Sequence, residues 1–198
     1  RRVTYNRLGT SVAHGVNISG FNNVTVKNCR IRDINASGSN GHGINAFFSN
    51  NSFLLNNTIW ANGTTNSFAI LASGVSVGVH PIVGTRIINN TLFTNNSGSI
   101  GFAISHQAAN HSLIEGNVLR PYAMGSSASG IRMLLSQNAN ITFNNNTVIT
   151  RGETDQNYGM EISTGGGMLI SNNSFDVNAT SSVAGIGFFA NSENNTIE

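Results

Sequence analysis

The sequence predicts an all-β solenoid of about seven rungs. Three observations predict it: an apolar-and-asparagine pattern that recurs along the whole chain, apolar–polar alternation between the recurrences, and a composition suited to turns rather than helices. The composition sets the bounds. Of 198 residues, 32 are Asn and 22 are Gly, types that weaken helices and favour turns, so a helical bundle is excluded. A disordered chain is excluded as well, because 39% of the residues are apolar and the net charge is only +2. A single cysteine, Cys29, rules out an internal disulfide and a cysteine-based zinc site. Nine Arg and one Lys are spread out with no basic run, which speaks against nucleic acid as a partner, and no stretch of 18 apolar residues offers a membrane span.

The first recurring element reads apolar-x-x-Asn-x-apolar. It appears at Leu54 to Ile59, Ile87 to Leu92, Ile114 to Leu119, Phe143 to Val148, Ile170 to Phe175 and, degenerate at its first position, Ser192 to Ile197. A seventh copy, Val26 to Ile31, carries Cys29 where the others carry Asn57, Asn90, Asn117, Asn146, Asn173 and Asn195. Successive steps of 28, 33, 27, 29, 27 and 22 residues give one rung every 28 or so. A second element, small-apolar-x-apolar, precedes each copy at Gly15, Gly43, Ser67, Gly101, Gly130, Gly159 and Gly185. The third rung is longer, because residues 74–84 insert a loop containing His80 and Pro81.

Each rung therefore holds two or three short strands and no helix. One strand pair cannot bury its apolar side, but stacking rung on rung at roughly 4.8 Å does so. Like residues then fall over like residues, and the spacing predicts an inward column of Val16, Ile44, Phe68, Phe102, Ile131, Met160 and Ile186. The repeated Asn is expected at a turn inside the wall, donating to one neighbouring rung and accepting from the other, since a buried amide must be satisfied.

Segments such as Ile170-Ser171-Asn172-Asn173-Ser174-Phe175 resemble the repeats of the right-handed parallel β-helix proteins, the pectin-lyase-like superfamily, over nearly the whole chain from His14 to Ile197. The resemblance implies the fold and its hand, in line with the right-handed rule for parallel crossovers. It implies no single activity, because lyases, hydrolases, epimerases, tailspikes and adhesins share the architecture. The Asn-Thr-Asp and Asp-Asp motifs of polygalacturonase-like members and the Asp-Pro-His-Glu run of alginate epimerase-like members are not present.

Candidate site residues follow from the outward positions. Glu161 and Arg132 fall on one outward column one rung apart, with His106 at the end of the same strand a rung further back and Tyr158 beside the turn. A base and a cation that neutralises a uronate carboxylate are the minimum a polysaccharide lyase needs, and these residues supply them. A second outward column, Arg32, Trp60, Phe93, Arg120, Ile149, Asp176 and Glu198, places two aromatics between arginines. It predicts a flat apolar strip for a sugar ring or another chain. His14 and His42 should stack as turn residues, with no third metal ligand in register, so no metal or other cofactor is implied. Fourteen Asn-x-Ser/Thr sites occur, and Asn56, Asn89, Asn145, Asn172 and Asn194, each just before a ladder position, are the candidates for a row of glycans.

Residues 1–13 carry no amphipathic cap and the chain stops at Glu198 inside a repeat, so the expectation is a segment of a longer protein, or self-association or contact with other surface subunits through open solenoid ends. The sequence thus predicts one extracellular domain serving as a structural or adhesive component of a cell surface, filament or virion. A polysaccharide-active enzyme and a passive carbohydrate-binding stalk are the alternatives.

Overall fold

The computed structural model describes residues 2–8, 12–74, 82–134, 140–153, 156–163, 165–180, 182–189, 192–193 and 195–198. Among them the chain forms a parallel β-helix with three seven-stranded sheets, every pairing parallel and between rungs adjacent along the stack. His80, Pro81 and Asn194, each noted in the sequence, lie outside the described residues.

Sheet A comprises Arg2–Leu8, Arg30–Ser37, Thr58–Gly63, Thr91–Asn96, Val118–Ala123, Thr147–Gly152 and Ser174–Val177. Sheet B comprises Ala13–Asn17, Gly41–Phe47, Asn66–Ser73, Ile100–Gln107, Ser127–Leu134, Gln156–Ile162 and Ser182–Phe188. Sheet C, of strands two or three residues long, comprises Thr25–Lys27, Phe53–Leu55, Arg86–Ile88, Leu113–Glu115, Thr142–Asn144, Leu169–Ser171 and Thr196–Ile197. The chain visits A, B and C in turn and climbs one rung with each circuit.

The corner from C to A is the most regular part. The residue before each ladder position is left-handed: Asn28, Asn56, Asn89, Asn145 and Asn172 at φ 53–54°, and Gly116 at 64°. That conformation tolerates Gly and Asn and disfavours other residues. The ladder residue that follows is saturated. Asn90 Oδ1 accepts the Asn57 backbone amide at 2.9 Å and Asn57 Nδ2 at 3.0 Å, while Asn90 Nδ2 donates to Leu54 O at 2.8 Å and Asn117 Oδ1 at 3.0 Å. Asn117 and Asn146 repeat the pattern, and Asn173 ends it by donating to Phe143 O. Cys29 begins it: its backbone amide donates to Asn57 Oδ1, and its thiol lies 3.3 Å from Lys27 O. At the last copy, Asn195 Oδ1 accepts the Met168 backbone amide at 3.2 Å, a partner unlike those of the ladder.

The core is a continuous column of apolar side chains such as Ile31, Ile59, Leu92, Leu119 and Val148 from sheet A and Leu54, Ile87, Ile114 and Phe143 from sheet C. Sheet B corrects one expectation. Its inward column is Val16, Ile44, Ile70, Ile104, Ile131, Met160 and Ile186, so Phe68 and Phe102 do not belong to it. Two successive residues, Ala103 with Ile104 and Ala69 with Ile70, both pack into the core, a bulge-like step that turns the flanking residues outward. The pair breaks the strict alternation that spacing assumes, so Phe102 and Ile104, two residues apart, face opposite sides, which is why spacing alone misplaced the phenylalanines. In other rungs glycine fills the first place of the pair. A Cβ on Gly43 would lie 2.2 Å from Ile59 Cγ2 and 2.5 Å from Ala69 O, and one on Gly159 would lie 2.2 Å from Phe175 Cδ1.

Candidate functional site

Because of that step, each sheet B strand presents two outward positions three residues apart. The first column reads His14, His42, Phe68, Phe102, Ser129, Tyr158 and Ala184, and the second Asn17, Asn45, Leu71, Ser105, Arg132, Glu161 and Gly187. The two columns interlock. His14 meets His42 edge-on at 4.9 Å, His42 meets Phe68 at 5.1 Å, and Phe68 tilts on Phe102 at 5.8 Å. Over Phe102 lies the Arg132 guanidinium, 4.8 Å from the ring centroid. The histidines are thus strand residues on the outer face rather than turn residues.

Arg132 and Glu161 do stack as expected, with Nε 3.2 Å from Oε1, and they are mostly covered: their side chains are 25% and 12% exposed. Ser129 Oγ lies 3.4 Å from the second carboxylate oxygen. Burial pushes the Glu161 carboxyl above its ordinary range, and Arg132, Ser129 and Ser163 pull it partway back. The result is a largely covered carboxyl group of raised pKa beside a cation, a pairing that acid–base chemistry can use.

His106 is not part of this arrangement. It pairs with Ala72 and Met133 on the inward side of the strand and is fully buried, with Nδ1 3.4 Å from Ala72 O. Enclosure lowers its pKa to about 4 and keeps the ring neutral. Alternation from Ser105 would have placed it inward had the pair at Ala103 and Ile104 been known. Of the other described carboxyls, Glu115 accepts from Asn144 Nδ2 on sheet C, and Asp176 is paired with Arg151 on sheet A.

Sheet A corrects a second expectation. Trp60 and Phe93 are stacked on each other, centroids 5.0 Å apart and planes 2° from parallel. Arg30 caps the far face of Trp60 at 5.4 Å, and Arg120 caps Phe93 at 5.8 Å. The ring planes therefore face along the solenoid axis and every face is occupied, so the column presents edges outward rather than a flat strip. Arg30, whose backbone pairs with Thr58, fills the place expected of Arg32, and the register shifts by one residue between Ile31 and Ile34. Arg32 instead lines a recess with Arg30, Trp60 and Asn62.

Asn56, Asn89, Asn145 and Asn172 are exposed. Their left-handed backbone supplies a conformational reason for Asn at these places, and the Asn-x-Ser/Thr pattern follows from the repeat itself.

No protein-family model matches the chain, and no curated protein matches it. Among solved structures, the periplasmic alginate epimerase AlgG is similar over 89% of this chain and 46% of its own, at 14% identity and a TM-score of 0.49. The A-module of the Azotobacter vinelandii mannuronan C-5 epimerase AlgE6 is similar over 89% of this chain and 57% of its own, at 13% identity and a TM-score of 0.39. The chain thus spans about half the length of the structures it resembles. The architecture itself is plain from the pairing of its own strands: this is a parallel β-helix with an internal asparagine ladder.

Proposed function

We propose that the chain acts on an acidic polysaccharide at the outer face of sheet B, by proton abstraction next to a uronate carboxylate. The observation that carries the reading is the Glu161–Arg132 pair, a largely covered carboxyl of raised pKa against a cation that lies over Phe102. In this reading the substrate carboxylate competes for the Arg132 guanidinium, which stabilises the charge that develops as the C5 proton leaves. Glu161 takes that proton. The bond from C4 to the glycosidic oxygen then breaks, a double bond forms between C4 and C5, and the proton passes from Glu161 to the departing oxygen.

One acid–base group serves both steps when proton and leaving group depart from the same side. Hydrolysis by the usual route needs a second carboxyl about 5 to 9.5 Å away. Among the described residues, no other acidic residue lies on a sheet B strand: Asp33 and Asp176 are on sheet A, Glu115 is on sheet C, and Glu193 is on the short strand Ser192–Glu193, which pairs with Gly165–Gly166. That supports elimination over hydrolysis. An exported setting, where such polymers are found, agrees with the low charge content. The structural or adhesive role expected from the sequence draws on the stack alone and gives Glu161 no task.

Incubation of the chain with polymers of the common uronates, followed by measurement of new unsaturated ends, tests the reading. The wild-type chain should generate them. Glu161→Gln should abolish the activity with the fold intact by circular dichroism, and Arg132→Ala should raise KM at least tenfold. Wild-type inactivity on every uronate polymer, or full activity in Glu161→Gln, would contradict it.

A further inference from the structure

We infer a second carbohydrate site on sheet A, a groove that holds a carboxylated oligosaccharide without acting on it. It rests on residues other than the sheet B pair and stands or falls separately. Two adjoining recesses, of about 230 and about 250 Å³, share Asn62 as a common wall. Arg30, Arg32 and Trp60 line the first, and Asn35, Asn95 and neighbouring hydroxyl residues line the second.

The chemistry of the two halves differs in the way a uronic sugar differs across its ring. Asn62 Nδ2 donates to Asn35 Oδ1 at 2.8 Å, which fixes both amides. Asn62 Oδ1 and Asn35 Nδ2 remain as an acceptor and a donor for sugar hydroxyls. On the other side, the Arg30 guanidinium sits over the Trp60 ring, Cζ 5.4 Å from its centroid, and offers its N–H groups to an anion. Arg30 is thereby held in place before a ligand arrives, which reduces the ordering cost of binding. The indole cannot take a sugar on its face, since Arg30 and Phe93 cover both sides. Selectivity must then come from charge and hydrogen bonds, and the Arg30 guanidinium, in a recess that Arg32 also lines, favours a carboxylate.

Trp60 is the only tryptophan in the chain, so its emission reports on this groove alone. The experiment titrates the full chain with a galacturonate or mannuronate tetramer and with a neutral tetramer of glucose, by fluorescence and in parallel by calorimetry. The expected result is a saturable change with a uronate tetramer and none with the neutral one. Arg32→Ala, which leaves the Arg30, Trp60 and Phe93 stack in place, should weaken binding at least tenfold. Asn62→Asp, which puts a like charge in the shared wall, should weaken it as much, and Glu161→Gln should leave the Trp60 signal unchanged. Absence of a saturable change with both uronates, an equal response to the neutral tetramer, or undiminished binding in both sheet A variants would overturn the proposal.

Discussion

The corner between sheets C and A and the outer face of sheet B are built from the same rungs, yet they behave oppositely. At the corner, four consecutive rungs repeat one amide with one set of partners, from Asn57 through Asn146. On sheet B, equivalent places pass from histidine to phenylalanine to serine, and from asparagine through leucine to an arginine and a glutamate. Uniformity marks positions that serve the stack. Departure from it marks positions free to carry chemistry, and Arg132 with Glu161 is where the departure brings opposite charges into contact.

The largest effect should come from breaking the uniform side. Asn117→Ala would leave the Asn90 backbone amide and side-chain donor, together with Ile87 O, without their buried partner. At about 1–3 kcal/mol per orphaned group, the loss should be about 3 kcal/mol or more in chemical denaturation. Asn117→Asp should not rescue it, because a carboxylate cannot donate to Ile87 O and Asn146 Oδ1.

Next come the enclosed histidines. His42 and His106 each have their pKa lowered to about 4 by burial, with a minor contribution from His14 in the case of His42. The unfolded chain therefore binds more protons than the folded one between pH 4 and about 6.5, so stability is complete above that window and falls as pH drops through it. Each histidine contributes a loss on the order of 3 kcal/mol across the window. His106→Leu should flatten the pH dependence of unfolding by about half. An unchanged profile would show that the ring is not enclosed.

Glu161 has the opposite sign. Its carboxyl is raised, so its protonated form is favoured by folding, and the stability it contributes at low pH is lost as pH rises through its folded value. Glu161→Gln should thus gain stability relative to the wild type as pH rises from the acid range to pH 7, a trend that denaturation at several pH values would show. A variant that loses activity while gaining stability would sharpen the contrast between functional and structural positions. The smallest effect belongs to sheet A: Arg120→Ala removes one exposed cation from the Phe93 ring and should cost about 0.5–1 kcal/mol.

Much of this was legible in the sequence because it was repeated. Asn57 to Asn173 fall over one another as the spacing predicts, and the Arg132–Glu161 contact follows from their matching places in consecutive rungs. What the sequence hid were departures of one or two residues. The paired inward residues at Ala103 and Ile104 sent Phe102 outward and His106 inward, and a one-residue register shift follows Ile31, with Arg30 rather than Arg32 over Trp60. Each breaks strict alternation at one point, and the apolar residues at both Phe102 and Ile104 conceal the break in the sequence pattern. Ring orientation was hidden for another reason: stacking at rung spacing turns aromatic faces along the axis, a property of two rungs together rather than of either sequence.

The most direct test of the central claim is hydrogen exchange at C5 of a polyuronate incubated with the chain in deuterated water and followed by NMR. The account predicts that the wild-type chain removes the C5 proton, seen as loss of that signal through elimination or exchange, and that Glu161→Gln leaves it at the uncatalysed rate. An intact C5 signal with the wild-type chain on every uronate polymer, or equal loss with the variant, would contradict it.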